Sequence, residues 1–350
     1  MITLCLIVKN EQDNLRKCLE SAINFVDEIV VVDTGSEDTT KKIAAEFTDK
    51  IYDFSWCDDF SSARNFSISK ATNEWILILD ADEIIVRFSF SQIAKFVQNK
   101  ENAILAGRIE IANIVEDNYV KKKSFERINR LFNRNNFQYE GRIHEQLRSK
   151  IKIDFVSVNV GIQVDHIGYT KESIDKTQKL QRNINLLNLA ISENHQDPYL
   201  YYQLGKAFYL EKNYDSAALN FEEALELPLN YKFEYVNDLV ETYGYTLINQ
   251  QRYEETLTFE KYIKYYNNPD FYFLLGLIYM NNAKFTVAVE YFLKCTEFLN
   301  GKLEGITTYL PYYNIGVIFD VLGYLDQALV YYKKCGNYEP ALKRLNAQMN

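Results

Sequence analysis

Little in this chain could cross-link it, carry it through a bilayer or build it into a fibre. Its five cysteines, Cys5, Cys18, Cys57, Cys295 and Cys335, are odd in number and scattered, with no CxxC pair. That spacing excludes zinc ribbons, redox dithiols and a disulfide scaffold. Five prolines and thirteen glycines in 350 residues exclude collagen-like and low-complexity architectures. No apolar run reaches the ~18 residues of a membrane span. The apolar start from Ile2 to Val8 lacks the basic n-region of a signal peptide. Both GxGxxG and the Walker A pattern are missing, which removes the common dinucleotide and P-loop readings. A net charge of −9 disfavours a broad electrostatic grip on nucleic acid or an anionic membrane. The expectation is a cytoplasmic chain with reduced thiols, no nucleic-acid partner and no membrane span.

What is present is the balance of a globular protein, 47% hydrophobic and 25% charged, with enough length for two domains. The first half alternates strands and helices. Ile2–Val8, Glu28–Val32, Ile51–Phe54 and Trp75–Leu79 read as strands; Glu11–Phe25, Glu37–Phe47 and Asp59–Lys70 read as helices. This alternation predicts an α/β domain with a mostly parallel sheet covered on both faces and ligands at the carboxyl ends of its strands. Beyond Ala103 the pattern turns β-rich, over Ala103–Ile111, Arg127–Phe132 and Phe155–Val164. After Tyr169 everything reads helical. Tyr201, Leu204, Gly205, Phe208, Tyr214, Ala217, Phe221 and Ala224 fit the tetratricopeptide spacing, and copies run from Tyr272 and from Tyr312. A weaker copy passes through Gly244, Leu247 and Tyr253, with Thr256 where alanine is expected. The domains are therefore expected at 1–170 and 171–350.

Several constellations could carry chemistry. Asp80-Ala81-Asp82-Glu83 follows a strand; were the chain extended there, Asp80 and Asp82 would project together and suit a divalent cation bridging to a phosphate. Asp33-Thr34-Gly35-Ser36 has the form of an aspartic-protease motif, but that chemistry needs a second carboxylate sharing a proton, and the motif occurs once. Arg64 lies in Ala63-Arg64-Asn65 on a helix, either solvated or aimed at a phosphate or base edge. Gly141-Arg142-Ile143-His144-Glu145 is not a zinc-protease motif, because Arg148 stands where the second histidine would be. His166 closes the first domain, and His195 sits in a polar turn.

The order of these pieces, Ile7-Val8-Lys9-Asn10-Glu11, Val32 to Ser36, Trp56 to Asn65, then Asp80 to Glu83, resembles a family 2 glycosyltransferase with a GT-A fold. Arg130-Leu131-Phe132, Gly141 to Glu145 and His166-Ile167-Gly168-Tyr169 are similar to the branch with C-terminal tetratricopeptide repeats, which includes sublancin-type peptide S-glycosyltransferases. The resemblance implies a nucleoside diphosphate sugar donor, such as a UDP-hexose, and a divalent cation, Mn²⁺ or Mg²⁺. It implies that Val8 and Glu11 border the nucleoside, that Asp33 accepts hydrogen bonds from uracil or ribose, and that Arg64 approaches the base or the diphosphate. Asp80 would contact ribose and metal-bound water alongside Ala81, Asp82 would ligate the metal, and His166 would be a second protein ligand. Lys9 departs from the aromatic or small residue common in the family's first motif.

Among the cations from Lys121 to Lys152, Arg130 and Arg142 are the better candidates for the leaving diphosphate, ahead of Lys121, Lys122, Lys123 and Arg134. An inverting displacement needs a base opposite the diphosphate, and Glu145 is expected there with His144 as competitor. A peptide or protein acceptor, through Cys or Ser/Thr, would lie partly on the repeats. Tyr231, Tyr235, Tyr265, Tyr266, Asn267 and Asn268 either grip it, pack between repeats or form a homodimer. The alternatives are a saccharide or lipid acceptor, or a repeat scaffold with a degenerate sugar-nucleotide domain.

Overall fold

A computed structural model describes the backbone of residues 1–117, 120–167 and 173–349, and the side chains of 1–113, 125–167 and 180–347. Gly168, Tyr169 and the side chains of Lys121, Lys122 and Lys123 lie outside these. The chain divides into two compact units, Met1–Ala190 and Ile191–Asn350.

In the first unit β1 (Ile2–Val8), α1 (Leu15–Ala22), β2 (Glu28–Asp33), α2 (Thr40–Ala44), β3 (Ile51–Asp53), α3 (Phe60–Lys70) and β4 (Trp75–Ile78) follow in turn. β5 (Glu83–Phe88), α4 (Phe90–Gln98), β6 (Ala106–Asp117), β7 (Val120–Asn133), β8 (Phe137–Glu140), β9 (Gln146–Ser149) and β10 (Ser157–His166) complete it. Eight strands form one sheet in the order β3-β2-β1-β4-β7-β6-β10-β5, and β8 pairs with β9 separately. β1 is parallel to both β2 and β4. It is a central strand, and its uninterrupted apolar run is buried from Ile2 to Leu6 because both faces of the sheet are covered. β7 and β5 run antiparallel to their neighbours, so the sheet is mixed beyond β4.

Order reverses across β1, which opens a crevice at the carboxyl ends of β1, β2 and β4. Helix α1 buries Leu15, Cys18, Leu19 and Ala22 at helical spacing. Helix α3 is different. Its buried face is Ser61, Ala63, Arg64, Ser67 and Ile68, so it turns a charged residue inward. Sequence pattern missed β5 and α4, and placed the start of β6 three residues early, where Lys100–Ile104 is a 3₁₀ turn. Helix α5 (Ser173–Glu193) carries the chain out of the first compact unit, which ends at Ala190, into the second.

The second unit is helical: α6 (Pro198–Leu210), α7 (Tyr214–Glu226), α8 (Glu234–Asn249), α9 (Tyr253–Thr256), α10 (Pro269–Asn281), α11 (Phe285–Cys295), α12 (Tyr309–Val321), α13 (Leu325–Lys334) and α14 (Glu339–Met349). Its hairpins close through one recurring contact. A Cβ at Gly276 would stand 2.5 Å from the Phe292 ring, and the same clash recurs between Gly205 and Phe221 and between Gly316 and Tyr332. The weaker copy departs after α9, where Leu257–Lys264 winds as a 3₁₀ helix. Thr256 is fully buried there and its hydroxyl donates to the Tyr253 carbonyl, which tightens the turn an alanine would leave α-helical. The candidate peptide-gripping residues are largely used in packing. Tyr266 is buried, Asn268 caps α10 by accepting from the Phe271 N–H at 2.8 Å, and Tyr231 stacks on Tyr265 at 4.1 Å.

Candidate active site

Asp80 stands just past the carboxyl end of β4, beside the crevice. Its carboxylate is gripped by two guanidiniums from different elements. Arg64 of α3 donates Nη2 to Oδ1 at 2.8 Å, and Arg130 of β7 donates Nη2 to Oδ2 at 2.9 Å. Both arginines are over nine-tenths buried, so each charge must be paired within the protein. Arg64 does this with a second carboxylate, donating Nε to Glu145, and Arg130 with Glu83 at 3.4 Å. Glu83 in turn accepts the Asp80 backbone N–H at 2.9 Å. Burial opposes ionisation of Asp80, and the two guanidiniums outweigh it, holding the carboxyl well below the usual range. Burial pushes the Glu83 carboxyl the other way, upward, against the opposing pull of Arg130. The Tyr139 ring lies 5.7 Å from the Arg64 guanidinium carbon, and burial raises its phenol to about 12.

Asp82 does not project alongside Asp80 as an extended chain would require. The Glu83 N–H donates to the Asp80 carbonyl at 3.1 Å, closing a turn that sends the second aspartate elsewhere. Asp82 Oδ2 lies 3.2 Å from His166 Nε2, and the Asp82 carbonyl accepts the Ile167 N–H at 2.9 Å. His166 ends β10, in register with Glu83 of β5 and Asn113 of β6. Its Nδ1 meets Asn113 Oδ1 at 2.8 Å. With Nδ1–H donating to Asn113, Nε2 faces Asp82, to which it donates when protonated and beside which its lone pair would be free for a cation once that proton is lost. Burial disfavours charge on His166, but Asp82 overcomes it and the imidazole pKa is raised. Carboxylate oxygen and imidazole nitrogen fit a divalent cation. Among the described residues no three His, Cys, Asp or Glu side chains converge, so a cation here would take its remaining ligands from diphosphate oxygens and water.

The other expected residues sort by burial. Asp33, 2% exposed, accepts the Gly35 and Ser36 N–H groups at 2.9 and 2.8 Å through Oδ1, while its buried Oδ2 has no partner. Asp33 ends a parallel strand and leads into α2, not the hairpin setting of an aspartic-protease motif, and the protease reading falls. Val8, at the carboxyl end of β1, and Ala81, in the turn after β4, are buried in the core. Glu11 accepts from Asn14 Nδ2 at 2.9 Å at the mouth of α1. Arg64 is held by Asp80 and Glu145 through Nη2 and Nε, and its Nη1 is buried without a partner. Glu145 and Asp80 lie along the Nε–Nη2 edge of that one guanidinium, so Glu145 stands beside Asp80 and not across from it. His144, next in the chain, has a left-handed backbone (φ +49°) in the loop that begins at Gly141 (φ +102°). That loop is tied to α3 by the Phe60 N–H donating to the Arg142 carbonyl at 2.8 Å. Sequence reasoning assigned no role to Glu83, Asn113 or Tyr139. Glu83 sat in plain view in the acidic motif; Asn113 and Tyr139 carry no local signal.

Residues 3–157 match the model of glycosyl transferase family 2, and residues 198–231, 269–298 and 311–341 match tetratricopeptide repeats. A TPR repeat-containing protein of Synechococcus elongatus is 31% identical over 58% of this chain and 51% of its own length. The SPbeta prophage-derived glycosyltransferase SunS of Bacillus subtilis is 30% identical over 60% of this chain and 49% of its own length. The chain thus spans about half the length of these curated relatives. An uncharacterized glycosyltransferase of Rickettsia felis is 31% identical over 38% of this chain and 48% of its own. Among solved structures, the TPR protein YrrB is 20% identical with a TM-score of 0.40, covering 49% of this chain and 86% of its own. The chain therefore joins a glycosyl transferase family 2 domain to tetratricopeptide repeats.

Proposed function

We propose that this chain is a metal-dependent, inverting glycosyltransferase that moves a hexose from a nucleoside diphosphate, UDP by preference, to a Cys or Ser/Thr side chain of a peptide or protein. The observation that carries the reading is the pair of aspartates at the end of β4, one clamped by two buried arginines and the other set against His166. Asp82 and His166 would hold the cation. A divalent cation bound there supplies Lewis-acid stabilisation of the charge that builds on the departing diphosphate. Arg64 and Arg130 fix Asp80 in its ionised form for ribose hydroxyls, and the buried, half-satisfied Asp33 carboxylate offers an acceptor to a base or sugar N–H or O–H. The acceptor's proton must leave as the sugar arrives. Because Glu145 is engaged by Arg64 on the Asp80 side, the geometry favours His144 as base and Glu145 as the residue that positions Arg64.

The peptide acceptor draws its support from the tetratricopeptide repeats, whose stacked hairpins suit an extended chain. Incubating the purified chain with a panel of UDP- and GDP-sugars and Mn²⁺ tests the donor half. Release of nucleoside diphosphate from one sugar class is expected, abolished by EDTA and by Asp82→Asn with folding retained. Full turnover in EDTA, or an active Asp82→Asn chain, would rule the metal assignment out.

A further inference from the structure

The second unit carries a buried ionic cluster that glycosyl transfer does not use. Helix α8 presents Asn237, Asp238 and Glu241, and the segment between α11 and α12 lays Lys302 across them. Lys302 Nζ donates to Glu241 Oε2 at 2.7 Å and lies 3.8 Å from Asp238 Oδ1. Its backbone N–H donates to the two carboxylate oxygens of Asp270 on α10, at 3.2 and 3.0 Å, and the Leu303 N–H adds a third contact at 3.4 Å. Asp238 is also held from α6, by Tyr202 at 2.5 Å and Lys206 at 2.9 Å.

Three carboxylates thus meet two ammonium groups. Two further buried groups beside them lack partners. Asn237, 9% exposed, donates Nδ2 to Glu241 at 2.9 Å and leaves its Oδ1 unpaired; Tyr266, 5% exposed and close enough to feel the Glu241 charge, leaves its hydroxyl unpaired. Lys302 itself keeps 40% of its side chain exposed, so the cluster opens to solvent on the side from which Lys302 enters.

We propose that this cluster is a binding pocket for a lysine residue of an extended peptide partner, and that Lys302 fills it in cis. The in-cis occupant defines the ligand. Asp270 reads two consecutive backbone N–H groups while Glu241 and Asp238 read the ammonium, a two-point recognition that a free amine cannot complete. The pocket spans helices from three successive hairpins, α6, α8 and α10, as a site for an extended chain should. The proposal concerns binding alone and stands apart from which group accepts the sugar.

Calorimetry on the full chain tests it, with acetyl-Gly-Lys-Leu-Gly-amide, its norleucine counterpart and spermidine as probes. Lys302→Met keeps the aliphatic stem and frees Glu241 and Asp238 of the in-cis ammonium, so that an incoming peptide has only the backbone contacts of 302 and 303 to Asp270 left to displace. The lysine peptide is expected to bind that variant about tenfold or more tightly than wild type, since removing an internal competitor raises the competent fraction. Adding Glu241→Gln should abolish the gain. Equal affinity for wild type and Lys302→Met, equal binding of the norleucine peptide, or spermidine binding as well as the lysine peptide would each overturn the proposal. Should Lys302→Met fail to fold, hydrogen exchange on wild type decides. Loss of protection across 299–308 on adding excess lysine peptide supports displacement, and unchanged protection refutes it.

Discussion

At the scale of single residues, the site is organised by what two buried arginines require. Neither guanidinium can be left unpaired, and each is satisfied by two carboxylates, so Asp80, Glu83 and Glu145 are fixed before any ligand arrives. On the proposed reading, Glu145 and His144 have different roles. Glu145→Gln should perturb Arg64 and Asp80 and weaken sugar-nucleotide binding together with turnover. His144→Ala should cut kcat by roughly 10²–10⁴ for a hydroxyl acceptor while leaving nucleotide binding near wild type, the signature of a lost general base. Measuring kcat and nucleotide affinity for both variants checks this; a Glu145→Gln chain with intact nucleotide binding and a collapsed kcat would return the base to Glu145. The motif Asp80 to Glu83 and the later His166 stood out in the sequence only through the order of motifs shared with family 2 glycosyltransferases, and the structure brings them side by side. Their partition was not legible. It depends on a turn closed by the Glu83 N–H and on the register that sets Asn113, His166 and Glu83 side by side across three strands.

At the scale of elements, periodicity exposed the parallel strands and the helical hairpins, and it failed where a local residue overrode the pattern. The second repeat's second helix passes into a 3₁₀ helix just after Thr256, and α3 buries Arg64, which pairs with Asp80. The hairpins depend on the glycine–ring contact, so Gly276→Ala, which presses a methyl into Phe292, should destabilise the second unit by about 1–3 kcal/mol in chemical denaturation. Helix α8 adds a pH dependence. Burial raises Glu241 from 4.5 to about 7, with Lys302 opposing and Asp238 and Asp270 reinforcing, while Tyr245 and Tyr266 face it as neutral phenols. Because the folded value exceeds the unfolded one, the unfolded chain loses its proton first. Stability should therefore fall by about 3 kcal/mol as pH rises from 4.5 to 7 and level off above. Asp238, drawn down to about 2, contributes a constant favourable amount across that window. Urea unfolding at pH 5 and 7.5 should show this loss in wild type and a flatter profile in Glu241→Gln; identical slopes would remove Glu241 as its source.

At the scale of the whole molecule, the two-part organisation was legible from the change of period, whereas α5 is one continuous helix that runs past the end of the first compact unit at Ala190 and offers no break in pattern there. No helix among the described residues is long and apolar enough to cross a membrane. In the proposed function, the carboxyl edge of β4 holds a nucleoside diphosphate through a cation on Asp82 and His166. UDP affinity by calorimetry with and without Mn²⁺, on wild type and Asp82→Asn, tests this most directly. Mn²⁺ should tighten UDP binding by about tenfold or more in wild type, within the usual 1–3 kcal/mol of coupling between linked ligands, and have no effect in Asp82→Asn. UDP affinity that ignores Mn²⁺ in wild type, or responds equally in both chains, would contradict it.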